Sequence, residues 1–147
     1  MKRSQSLERL GGLQALLEQR SKADHAKAVR AKQDAQRQEQ KAKAKLETLN
    51  LALDNYSAQE ELQIERFQIL AQQINDSAEE LEKRCDSFKD ASNSEASARQ
   101  LRVRAERQSD HLSSLHRDAL NKERRQEEDR KSRDFLSQRA ASNGARV

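Results

Sequence analysis

The chain contains no proline, so nothing in its covalent structure obliges a helix to stop, and its three glycines leave few points of backbone freedom. Tryptophan is absent and aromatic side chains amount to 3%. With hydrophobic residues at 33% and charged residues at 37%, that excludes a thick globular core. Disorder is the other outcome of low hydrophobicity and high charge. Disordered chains, however, are typically rich in proline and glycine, and here Ala, Leu, Gln, Glu, Lys and Arg, all good helix formers, dominate every segment. The single cysteine, Cys85, has no partner for an internal disulfide and reads as a small apolar residue of a helix stripe in a reducing compartment. No stretch approaches the roughly 20 apolar residues that cross a bilayer, and the N-terminus lacks the apolar run of a secretory signal. A soluble, cytoplasmic, all-helical protein is expected.

Helical spacing of apolar residues runs along most of the chain. Leu7, Leu10, Leu13 and Leu17 recur at steps of three and four around Gly11 and Gly12. The stripe then thins to Ala23, Ala28, Val29, Ala31, Ala35 and Ala42. Small residues of this kind either let two helices approach closely or mark a solvated surface. Leu46, Leu49, Leu53 and Tyr56, followed by Phe67, Leu70, Ile74, Ala78, Leu81, Cys85 and Phe88, form the densest apolar region and the expected best-packed part. The polar stretch 90–97 predicts a kink or fraying, because Ser, Asn and Asp side chains compete for backbone hydrogen bonds. Leu101, Ala105, Leu112, Leu115 and Ala119 resume the stripe, and a charged run leads to Phe135 and Leu136. Residues 141–147 are expected to be disordered.

A single helix of this length would extend about 220 Å and leave its stripe uncovered. Folding back covers it. Turn chemistry occurs at Asp54 and Asn55, with Ser57 three residues before Glu60, and at Asn75 and Asp76, with Ser77 three before Glu80. Each Ser-x-x-Glu matches a capping box, and the turn is expected within residues 54–77. Charge supports the same topology. Residues 1–50 carry a net +6, residues 51–95 a net −7 and residues 96–147 a net +5. In an antiparallel hairpin the basic arms lie together and the acidic block forms the tip, with Glu18, Asp24, Glu106 and Asp118 interleaved among the basic residues of the arms. The expected fold is all-α: one elongated antiparallel α-helical hairpin, a two-helix coiled coil over residues 1–147.

Catalytic chemistry finds no constellation. No glycine-rich loop followed by Lys and Ser or Thr is available for a phosphate, so no nucleotide or other cofactor is expected. His111 and His116 stand five residues apart, about 140° around a helix, which is the wrong geometry for two metal ligands on one face, and His25 stands alone. Carboxylates on exposed helices lack the buried cleft that acid–base work needs. A computed pI of 9.4 raises nucleic acid as a partner, but Glu123, Glu127, Glu128 and Asp129 break up the basic run 122–131, and no aromatics interleave to stack bases. A plain oligomeric scaffold, its stripe paired between chains, remains a second reading.

The leucine-bearing N-terminus, the alanine- and charge-rich first arm, the 46–56 segment answered by residues 62–88 and the Arg/Lys/Glu-rich last arm together resemble the FliJ/YscO family of type III secretion proteins. The resemblance covers almost the whole chain and is one of pattern and size. It implies an antiparallel hairpin like the coiled-coil stalk of the rotary ATP synthase γ subunit, monomeric when isolated. It also implies a role as the stalk that links the hexameric secretion ATPase to the export gate of the inner membrane, with export chaperones as further partners. On that resemblance Arg9, Arg20, Arg125 and Arg133 are the candidates to meet acidic loops of the ATPase pore. Leu49, Leu53, Tyr56, Phe67 and Leu70 stand where the family meets the cytoplasmic domain of the gate, although the same five side chains also suit a hairpin core.

Overall fold

A computed structural model describes residues 2–59, 61 and 63–145. Two helices account for nearly all of them: α1, Arg3–Ser57, and α2, Ile64–Gly144. The chain divides into two compact units. Unit 1 is Met1–Arg20 with Val103–Val147, and unit 2 is Ser21–Arg102. Each contains a stretch of α1 running antiparallel to a stretch of α2, so the fold is an all-α antiparallel helical hairpin.

In unit 2 the burial along α1 advances through Ser21, His25, Ala28, Lys32, Ala35, Glu39, Ala42, Leu46, Leu49, Leu53 and Tyr56. Steps of three and four alternate without a break, which is the seven-residue repeat of a coiled-coil seam. α2 answers through Leu70, Ile74, Ser77, Leu81, Arg84, Phe88, Ala91, Glu95, Ala98 and Arg102 with the same alternation. Side-chain pairs between the two helices run in the antiparallel sense: Lys45 Nζ lies 3.8 Å from Glu80, while His25 and Lys32 meet Glu95. The apolar half of this seam is the 46–56 segment against 70–88, as the density of large residues predicts. Its other half is built from alanines and paired polar groups.

Several expectations change at this level. Helix α2 passes through residues 90–97 without interruption, because Glu95 turns inward to partners on α1 while Ala91 and Ala98 face the seam. Neither Ser-x-x-Glu starts a helix. Ser57 is the last residue of α1, its hydroxyl donating to the Leu53 carbonyl at 2.8 Å, and Glu60 lies outside the described residues. Ser77 is buried inside α2, and Glu80 is drawn instead to Lys45 and Arg84. The helix also continues through residues 141–144 of the segment expected to be disordered, where alanine and the absence of proline favour it, and Arg146 and Val147 lie outside the described residues.

Unit 1 has its seam at Ser4, Leu7, Gly11, Gln14 and Glu18 on α1, with Ala105, Ser109, Leu112, His116, Ala119 and Glu123 on α2. Of the four leucines read as one N-terminal stripe, only Leu7 belongs to it; Leu10, Leu13 and Leu17 are exposed. Leu120 is likewise exposed on α2, as is Leu101 in unit 2, and Ala105 and Ala119 are buried. The seam thus mixes small side chains, Ser4, Gly11, Ala105 and Ala119, with Leu7 and Leu112, and leaves Leu10, Leu13 and Leu17 on the flank.

Candidate interaction surfaces

Glu123 closes the start of α1. Its carboxylate accepts the Ser4 backbone N–H at 3.1 Å and the Ser4 hydroxyl at 2.6 Å, satisfying one of the free donors of a helix N-terminus from across the hairpin. Those two bonds, side chain first, hold the Glu123 carboxyl below its ordinary pKa. Nearby, the Gln14 side-chain amide donates to the Ala105 carbonyl at 3.2 Å. Past Glu123, every described residue of α2 from Arg124 onward is exposed. Ion pairs one turn apart, Lys131–Glu127 at 3.5 Å and Arg124–Glu128 at 3.8 Å, support the helix there.

The most polar layer of unit 2 surrounds His25. Arg102 Nη1 lies 3.3 Å from His25 Nδ1, and His25 Nε2 lies 3.1 Å from Glu95 Oε1. A guanidinium only donates, so Nδ1 accepts and Nε2 carries the hydrogen given to Glu95. Lys32 Nζ approaches the second Glu95 oxygen at 3.8 Å. Glu95 is 8% exposed, and its carboxyl is held below the usual range chiefly by the His25 bond, with Arg99 and Lys32 adding to the effect against the opposing influence of burial. Further along, the Cys85 thiol sits 3.5 Å from Glu39, and burial followed by that carboxylate pushes its pKa up, the reverse of what a reactive thiol requires.

At the connection the chain is closed by Tyr56. Its hydroxyl donates to the Gln63 carbonyl at 3.0 Å and accepts the Gln63 N–H at 2.6 Å. α2 then begins with the Phe67 N–H bonded to the same Gln63 carbonyl at 3.1 Å. Ala52, Asn55, Tyr56, Arg66, Ile69 and Leu70 line a groove of about 340 Å³ beside this turn.

The five apolar candidates all belong to unit 2, in two settings. Leu49, Leu53 and Leu70 are half-buried in the seam, and Tyr56 is buried with its hydroxyl committed to the turn. Phe67 is exposed, in the company of exposed Ile64 and Ile69, residues that the sequence reading did not single out. Arg9, Arg20, Arg125 and Arg133 are exposed, and all four belong to unit 1. That unit holds 15 Lys and Arg against 10 Asp and Glu.

Compared with protein-family models, with curated proteins and with solved structures, the chain matches none. Among the described residues no group of His, Cys, Asp and Glu is arranged to hold a metal ion, and no helix is long and apolar enough to cross a membrane. What the arrangement offers chemically is contact: cationic side chains and exposed leucines in unit 1, and exposed Ile64, Phe67 and Ile69 beside a groove in unit 2.

Proposed function

We propose that this protein is the cytoplasmic central stalk of a type III secretion apparatus, peripheral to the inner membrane through that apparatus. As a stalk it stimulates a hexameric secretion ATPase, contacts the export gate and catalyses nothing itself. The observation that carries the reading is the hairpin fold combined with the grouping of its exposed charges. The first 20 and the last 45 residues form one net-basic unit bearing Arg9, Arg20, Arg125 and Arg133, as a stalk end suited to an acidic ring pore requires. The gate contact is assigned to the turn-proximal apolar group, with exposed Phe67 as its most accessible member.

The test is the rate of ATP hydrolysis by a purified hexameric secretion ATPase as the chain is added. Wild type should raise the rate, and Arg125→Glu with Arg133→Glu should abolish the rise while far-ultraviolet circular dichroism stays unchanged, since both positions lie beyond the seam. The rise should also shrink as salt increases, because exposed charges are screened beyond about 8 Å at physiological ionic strength. Undiminished stimulation by the double variant at low and high salt would remove the electrostatic docking.

A further inference from the structure

Unit 1 carries an apolar surface that its own packing does not use. Leu10, Leu13, Leu16 and Leu17 are exposed by 50%, 60%, 62% and 54%, within two turns of α1. At 100° per residue Leu10, Leu13 and Leu17 form a ridge spanning about 60°, set about 100° around the helix from the seam of Leu7, Gly11, Gln14 and Glu18. Leu16 extends the face away from α2. Burying even part of four such leucines favours association, and an apolar cluster of this kind on a chain of 37% charged residues marks a contact site.

The charges beside the ridge select its occupant. On the flank away from α2 the helix projects Arg9 and Arg20, and residues 3–20 place no carboxylate there, because Glu18 is half-buried in the seam and Glu8 falls on the opposite flank. A second copy docking isologously and antiparallel would press this basic flank against itself, so self-association is disfavoured. Steps of three and four along the ridge suit the side-chain interdigitation of another helix. Residues 1–20 contain no aromatic side chain of the sort that anchors an interfacial helix in lipid.

We infer that the Leu10–Leu13–Leu17 ridge with its Arg9 and Arg20 flank is a docking surface for an acidic amphipathic helix of a partner protein. This inference shares Arg9 and Arg20 with the stalk proposal but names a complementary helix, not an ATPase, and its test contains no ATPase, so either can fail without the other.

The probe is a fluorescent synthetic helical peptide of three heptads, with leucine at the seam and glutamate on the flanks, compared by anisotropy with the same peptide carrying lysine on the flanks. The full chain should bind the acidic peptide and not the basic one, more weakly as salt rises. Leu13→Gln with Leu17→Gln should weaken binding at least about tenfold with helicity unchanged, these side chains being outside the seam. Arg9→Glu with Arg20→Glu should reverse the preference toward the basic peptide. Indifference of binding to both double variants would overturn the inference. So would leucine-dependent dimerisation in sedimentation equilibrium, or leucine-dependent binding to vesicles of phosphatidylcholine and phosphatidylserine without peptide binding, which would assign the face to a second copy or to a membrane.

Discussion

Replacing Tyr56 with Phe removes one oxygen atom and two hydrogen bonds between the end of α1 and Gln63. The ring stays, so the apolar burial of this 8%-exposed side chain is retained and no cavity opens. What is lost is the hydroxyl's bond to the Gln63 carbonyl, 3.0 Å, and the bond it receives from the Gln63 N–H, 2.6 Å. A protein hydrogen bond contributes about 0.5–1.5 kcal/mol net, so two contribute about 1–3 kcal/mol. Gln63 is exposed, and water replaces part of what its backbone loses, which places the cost in the lower half, about 1–2 kcal/mol. Urea unfolding followed at 222 nm should show an unfolding free energy lower by that amount, seen as a lower midpoint at unchanged slope. Amide exchange resolves the location: protection at Gln63, whose N–H bonds the hydroxyl, and at Phe67, whose N–H bonds the Gln63 carbonyl, should fall about tenfold for each 1.4 kcal/mol, while amides around Ala42 should change only through global unfolding. A Tyr56→Phe protein with wild-type midpoint and wild-type exchange at Gln63 would refute the claim that this hydroxyl closes the turn.

Ser77→Ala should stabilise the protein by up to about 1 kcal/mol in the same urea assay, since Ser77 is 2% exposed and its buried hydroxyl has no hydrogen-bond partner among the described residues, leaving its desolvation uncompensated; a loss of stability would mean the hydroxyl is satisfied in solution. Gly11→Ala and Gly12→Ala should each add about 0.5–1 kcal/mol, because both glycines are helical and a Cβ at either would meet nothing within 4 Å, so a destabilising effect would reveal a close approach there. Acid should weaken the fold through Glu95 and Glu123. Both carboxyls are held below their ordinary value in the folded chain, so their stabilisation is complete above about pH 4.3, where an unfolded Glu titrates, and is lost as pH falls through the lower folded values. Thermal melts from pH 7 to pH 3 should therefore drop less steeply for Glu95→Gln with Glu123→Gln, and a drop parallel to wild type would contradict the sign of these shifts.

The helical class was legible because every local preference agrees: no proline, abundant helix formers and apolar residues at steps of three and four. Asp54, Asn55 and Ser57 also mark the neighbourhood where α1 ends. The phase of the N-terminal seam was not legible from hydrophobicity, since Leu10, Leu13 and Leu17 outweigh Gly11, Gln14 and Glu18 on any scale, yet it is the second set that is half-buried. A cue did exist. Ala28, Ala35, Ala42, Leu49 and Tyr56 repeat every seven residues, as do Ala91, Ala98, Ala105, Leu112 and Ala119, and both series face inward. The His25–Glu95–Arg102 layer had no such cue, because each of its members is an ordinary charged or polar residue until the fold brings together positions 70 and more residues apart. The same holds for Glu123 at the start of α1. For the interaction surfaces, charge sign was visible in sequence, but which leucines stay free depends on the seam's phase and required the structure.

Both interaction surfaces depend on α1 pairing with α2 of the same chain, and zero-length carbodiimide cross-linking reads that pairing without any substitution. Lys45 Nζ and Lys32 Nζ each lie 3.8 Å from a carboxylate on the opposite helix, Glu80 and Glu95 respectively. Lys131 and Glu127, 3.5 Å apart on one helix, supply a link that any helical state would give. In an equal mixture of unlabelled and nitrogen-15-labelled protein, mass spectrometry should find Lys45–Glu80 and Lys32–Glu95 links only between peptides of the same label. Those two links in mixed-label form, or their absence beside an intact Lys131–Glu127 link, would contradict the hairpin.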